Sequence, residues 1–184
     1  MSGKIANVGA LLSVYEKLDS EVKAHFNDFK ELVENDFSYD IILAYVFLKI
    51  EQAQHRILYG GVVKLHRGHA ELADKLIQNH HLTRSGFKEL YKNIFGSDLS
   101  KDISRLIEFA EKIRDNVIHG KKVGDKEKRQ AIAEALEYAA ILNSEVFKIA
   151  KFQPFGHMRG FKGRAEALDK STTMWLMKGL GFGK

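Results

Sequence analysis

The sequence predicts an all-α protein, a multi-helix up-down bundle with a basic C-terminal appendage, and three observations carry that reading. Apolar residues recur at helical spacing through most of the 184 residues. No stretch sustains the period-two alternation of a half-buried strand, and Asn-Gly or Asp-Gly hairpin turns are missing. A single proline, Pro154, leaves long segments free to stay helical.

The first helix is expected over about Ile5 to Glu34, with Val8, Leu11, Leu12, Tyr15, Leu18, Val22 and Phe26 on one stripe. Asn35-Asp36-Phe37-Ser38 is a turn, and Ser38 suits the N-cap of the next helix. That second helix, about Tyr39 to Leu65, is apolar nearly all round at its start, from Ile41 to Leu48, which predicts a central position. Gly60-Gly61 is expected to weaken or bend it. Two shorter helices follow, near Ala70 to His80 and Arg84 to Phe95. Ser100 or Asp98 caps the next, which ends at His119, with Gly120 as a left-handed C-cap and Lys121-Lys122 facing the negative helix end. The last long helix spans about Asp125 to Lys151, with Ile132, Leu136, Ala139, Leu142, Val146 and Ile149 turned inward. The expected division is therefore a bundle over 1–151 and an extension over 152–184.

Charge separates the same two parts. From Lys151 onward seven basic residues face Glu166 and Asp169, which accounts for the whole net charge of +5. The other twenty-two basic and twenty-two acidic residues cancel. Such a segment attracts phosphate backbones, or simply keeps a tail solvated. The absence of cysteine excludes disulfides, thiolate catalysis and sulfur-ligated zinc. Met1 to Ala10 has no signal-peptide pattern, and the longest apolar run, Ile41 to Leu48, is too short to span a bilayer. The expected setting is cytoplasmic, with no membrane partner.

The run Arg114-Asp115-Asn116-Val117-Ile118-His119-Gly120 is the most informative stretch. Ile103, Leu106, Ile107, Ala110, Ile113 and Val117 form one apolar stripe, and at 100° per residue Arg114 falls inside it. An unpaired guanidinium there costs several kcal/mol, so either a carboxylate meets it or the stripe opens onto a cleft or subunit boundary. Glu51, which shares a helix face with Ala44, Phe47, Leu48 and His55, is the natural carboxylate.

An apolar central second helix, then Arg-polar-x-x-x-His at a helix end, a Gly/Lys turn and one more long helix resembles the HEPN domains over roughly residues 5 to 151. Arg114 and His119 match the family's Arg-x4–6-His motif, and Asp115 the polar residue that often follows the arginine. The resemblance implies a metal-independent RNA endonuclease or a catalytically silent relative that binds RNA or protein. It implies a homodimer whose two motifs line one groove, products ending in a 2′,3′-cyclic phosphate, and no cofactor. A toxin or defence role, with an antitoxin as partner, goes with it. Histidine exchanges protons near neutral pH, so His119 suits the 2′-hydroxyl or the leaving oxygen. Arg114 suits the scissile phosphate, Asp115 the orientation of the imidazole, Asn116 the substrate, and Glu51 a tuning position behind Arg114. Lys121, Lys122, Arg159, Lys162 and Arg164 are the candidate RNA-binding cations. Some toxin members carry, two residues after the histidine, a tyrosine modified by a partner enzyme. This chain has Lys121 there, which speaks against that regulation.

Other constellations carry less. Glu21 with His25 and Glu51 with His55 are spaced i, i+4 but lack the further inward glutamates of a di-iron bundle, and read as helix-surface pairs. His66-x-x-His69 and His80-His81 have no companion ligands. No phosphate-cradling glycine loop and no Gly-x-Ser-x-Gly is present. Phe155 to Arg164 interleaves aromatic, glycine and basic residues, a mixture suited to stacking bases. Met174-Trp175-Leu176-Met177, with Leu180 and Phe182, is expected to dock on the bundle or on a partner.

Overall fold

The first apolar stretch does not form one helix. In the computed structural model, which describes residues 5–158 and 166–182, it folds as α1 (Val8–Glu16), α2 (Ser20–His25) and α3 (Phe29–Glu34). The stripe is real, with Leu11, Tyr15, Leu18, Val22 and Phe26 buried, but its helical phase hides two breaks. Asp19 takes an extended conformation and starts α2 afresh. The break lets α1 meet α3. The Tyr15 ring stacks on Phe29 with centroids 4.9 Å apart, and its hydroxyl donates to the carbonyls of Lys23 and Phe26 at 3.3 and 3.4 Å. In one continuous helix Tyr15 and Phe26 would lie about 16 Å apart along the axis. The hydroxyl of Tyr45 accepts from the Asp28 amide at 3.0 Å, and burial pushes its pKa up to about 12.

After the first three come α4 (Tyr39–Leu65), α5 (Ala70–Gln78), α6 (Arg84–Phe95), α7 (Lys101–Ile118), α8 (Asp125–Ala150) and α9 (Lys170–Leu180). The helices α4 to α8 match those that apolar periodicity predicts, whereas the helix over Lys170–Leu180 is not among them, and no described residue lies in a strand. The fold is an all-α multi-helix assembly. No helix among the described residues is long and apolar enough to cross a membrane.

The chain groups into two compact units, Met1–Glu51 with Ser100–Glu145 and Gln52–Leu99 with Val146–Lys184. In the first, Ile42, Leu43, Val46, Phe47 and Ile50 of α4 are buried, as are Ile103, Leu106, Ile107, Ala110 and Ile113 of α7. Ile132, Leu136, Ala139 and Leu142 of α8 complete this core. Ile149, expected inward with them, is exposed, because the stripe of α8 ends at Val146 and Ala150. The apolar start of α4 is also not wholly covered. Ile41, Ala44 and Leu48, spaced i, i+3, i+7, stand on its exposed side.

The second unit explains Gly60-Gly61. The pair does not interrupt α4; it admits close neighbours. A Cβ on Gly60 would lie 2.4 Å from the Phe152 ring, and one on Gly61 2.3 Å from Cγ2 of Ile94. The segment from 152 onward groups with this unit. Phe152 and Phe155 are buried, and Arg56 donates to the carbonyls of Pro154 and Gly156 at 3.3 and 3.2 Å. Phe155 is therefore a packing residue and not the base-stacking aromatic its glycine-rich surroundings suggested. Helix α9 packs on α5 and α6 through Thr173, Met177 and Leu180. Leu180 accepts from the Asn93 amide at 2.9 Å, and Thr173 Oγ1 from the His69 amide at 2.9 Å. The expected docking of this segment on its own chain is what the structure has, with one exception: Trp175 stays 77% exposed.

Candidate functional site

Helix α7 begins and ends on strong local signals. The Ser100 hydroxyl accepts from the Ile103 amide at 3.4 Å, while Asp98, the other candidate cap, pairs with Lys92 at 3.1 Å. At the other end Gly120 is left-handed (φ 69°). Its amide donates to Val117 and that of Lys121 to Asn116, at 3.0 and 2.9 Å. This Schellman closure fixes His119 as the C-cap and turns the chain toward Lys121 and Lys122.

Arg114 sits where the stripe of α7 gives out. Ile113 is buried and Ile118 is 67% exposed, while the Arg114 side chain is 23% exposed. One guanidinium nitrogen donates to Glu51 Oε1 at 2.9 Å, and the other lies 3.5 Å from Asp115 Oδ1. The guanidinium carbon stands 4.7 Å from the centre of the Phe47 ring, a cation–π contact. Its Nε is buried and finds no hydrogen-bond partner among the described residues. The two alternatives left open for Arg114 are thus both realised: a carboxylate meets it, and the stripe opens there.

What it opens onto is a shallow groove of about 210 Å³ in the first unit. Leu43, Ala44, Phe47 and Leu48 of α4 line it with Val117 and Ile118 of α7, and Asp40, Glu51 and Arg114 supply its polar rim. Asp40 is held by Lys128 at 2.5 Å. The groove is bordered by exposed apolar surface, Ile41 and Leu48 from α4 and Ile118 from α7.

The structure brings Arg114, Glu51 and Asp115 into contact and leaves His119 outside the groove lining, exposed at the helix end. The side chain of Asn116 is half-buried and its carbonyl serves the C-cap. Lys121 and Lys122 are exposed just beyond. Arg159, Lys162 and Arg164 lie outside the described residues.

His25, half of one i, i+4 pair, is buried with its Nε2 2.8 Å from the Lys49 carbonyl, so it links α2 to α4 rather than standing on the surface. A histidine on the boundary of an apolar stripe is the signal that could have shown this. His66 bonds the Ile94 carbonyl at 2.8 Å, and His80 packs edge-on against Phe182. Among the described residues no group of three or more histidine or carboxylate side chains gathers as metal ligands would. Comparison with family models, with curated proteins and with solved structures finds no match.

Proposed function

We propose that the protein is a HEPN-type, metal-independent RNA endonuclease that works as a cytoplasmic homodimer, in a toxin or defence setting with an antitoxin as partner. The observation that carries the reading is Arg114: a guanidinium kept at the open end of an apolar stripe, with an exposed histidine five residues on. Exposed Ile41, Leu48 and Ile118 beside it give a second copy an apolar face to cover. Pairing through that face sets two Arg114–His119 motifs near one another.

The chemistry then needs nothing beyond these side chains. The 2′-hydroxyl attacks the adjacent phosphorus as one His119 takes its proton. The P–O5′ bond breaks as a protonated imidazole returns a proton to the leaving oxygen. The products are a 2′,3′-cyclic phosphate and a 5′-hydroxyl. Arg114 stabilises the charge on the phosphoryl oxygens, oriented from behind by Glu51 and Asp115. Asn116 contacts the substrate, and Lys121 and Lys122 draw in its backbone.

Labelled RNA incubated with wild-type protein, with His119→Ala and with Arg114→Ala tests this. Cleavage by wild type alone, with all three folded and dimeric, is expected; cleavage by His119→Ala at the wild-type rate overturns it. A second reading, a non-catalytic HEPN-like module that binds RNA or a protein, is favoured by the Arg114–Glu51 contact itself, because that pair already neutralises the cation. It predicts no cleavage by any of the three, and an Arg114→Ala protein that is destabilised or monomeric.

A further inference from the structure

In the second unit, the exposed face of α9 combines one large aromatic ring with cations. Leu72 of α5 and Lys170, Ser171, Met174, Trp175 and Lys178 of α9 line an open depression of about 500 Å³. Trp175 is the sole tryptophan of the chain and stands 77% exposed, Lys170 and Lys178 are both exposed, and no carboxylate is among the described residues of the lining. The shared depression gathers these groups on one surface, with Lys178 about 60° and Lys170 about 140° around the helix from Trp175, and along the axis the indole lies between the two lysines, which are about 12 Å apart.

We propose that this face is a binding platform for single-stranded nucleic acid, a base stacking on Trp175 while Lys170 and Lys178 contact the flanking phosphates. Three features select this occupant. Exposed aromatic rings between cations serve unpaired bases, because every base has a π-face and every link a negative charge. A membrane surface needs the apolar stripe of an amphipathic helix, and that of α9 is spent inside its own unit, with Thr173, Met177 and Leu180 buried. A protein interface of ordinary size needs a broad apolar centre, whereas here one ring stands among lysines and small polar residues. The platform is independent of the Arg114–His119 reading, since it needs no cleavage to act.

The single tryptophan makes the test direct. Full-length protein is titrated with a ten-residue oligodeoxythymidine, which lacks the 2′-hydroxyl that cleavage requires, while tryptophan emission is followed. Anisotropy of the labelled oligomer gives affinity for the variants. The expected result is saturable quenching, about tenfold weaker binding for Trp175→Ala, and near-normal binding for Trp175→Phe. Lys170→Gln with Lys178→Gln should lower the slope of log affinity against log salt by about 1.4. Trp175 touches solvent, so its replacement leaves the melting temperature in place and folding does not confound the comparison. Absence of binding, binding without quenching, or equal affinity for Trp175→Ala overturns the proposal. So does a blue shift on phosphatidylserine vesicles without oligomer binding, or self-association that Trp175→Ala abolishes. RNA cleavage that depends on His119 is scored separately and survives the loss of the platform.

Discussion

Glu51→Gln separates the two things Arg114 can do. The substitution keeps shape and removes the charge that Arg114 meets at 2.9 Å. Exposed ion pairs contribute about 0.2–1 kcal/mol, whereas breaking a buried pair costs about 3–5 kcal/mol. With Glu51 55% exposed and Arg114 23% exposed, the pair belongs near the first range. Arg114 also keeps the Phe47 ring at 4.7 Å and Asp115 at 3.5 Å. A loss of about 1 kcal/mol follows, or roughly 2–4 °C in Tm for a chain of this length. A phosphate no longer has to displace a carboxylate from the guanidinium, so RNA binding tightens by up to about fivefold at low salt. Thermal melts read the first quantity. Anisotropy of labelled RNA, on a His119→Ala background that prevents cleavage, reads the second. A loss above about 3 kcal/mol makes Arg114 a structural cation, and unchanged or weaker binding removes it from the phosphate site.

Arg114→Lys keeps a cation beside Glu51 but loses the bidentate fork, so cleavage should fall by about a hundredfold while the melt moves little. Gly61→Ala puts a Cβ 2.3 Å from the branched Ile94 side chain of α6. Overpacking of about 1–3 kcal/mol then outweighs the gain of about 1 kcal/mol in helix propensity, and urea denaturation should show a net loss; a stabilised variant refutes that packing. Asp169 is held below its ordinary value of 3.8 by the hydroxyl and amide of Thr172, so its cap on α9 is complete above that value and fades as the pH falls through the lowered one. Hydrogen exchange over Lys170–Leu180 should show a wild-type advantage over Asp169→Ala at pH 5 that begins to shrink as the pH falls below 3.8 and is lost in stronger acid; an advantage of unchanged size throughout that titration refutes the charged cap.

The parts of the fold most legible in the sequence are those fixed by local chemistry. Tyr39 and Leu65 bound α4, and Ser100 and Gly120 bound α7, because turn and cap residues act within a few positions of themselves. The Arg114–Glu51 contact was legible for a different reason: both charges fell on apolar stripes, and each needed a partner. The breaks between α1, α2 and α3 were not, because Tyr15, Leu18, Val22 and Phe26 keep helical phase across them. What broke the helix is the fold-back that brings Tyr15 to Phe29, a tertiary effect. Gly60-Gly61 reads as a weakness until Phe152 and Ile94 lie against it. Likewise nothing in the run from Met174 to Met177 distinguishes the buried Met177 from the exposed Trp175, since that depends on where α5 and α6 lie.

The proposed phosphoryl transfer, with His119 moving the protons and Arg114 holding the phosphoryl oxygens, leaves its signature in the ends of the products. Uniformly labelled RNA is incubated with the wild-type protein in EDTA and its fragments are resolved by end chemistry. The expected fragments carry 2′,3′-cyclic phosphate and 5′-hydroxyl ends and are absent from the His119→Ala reaction. Fragments ending in 3′-hydroxyl and 5′-phosphate, or the same fragments from His119→Ala, contradict the proposed transfer.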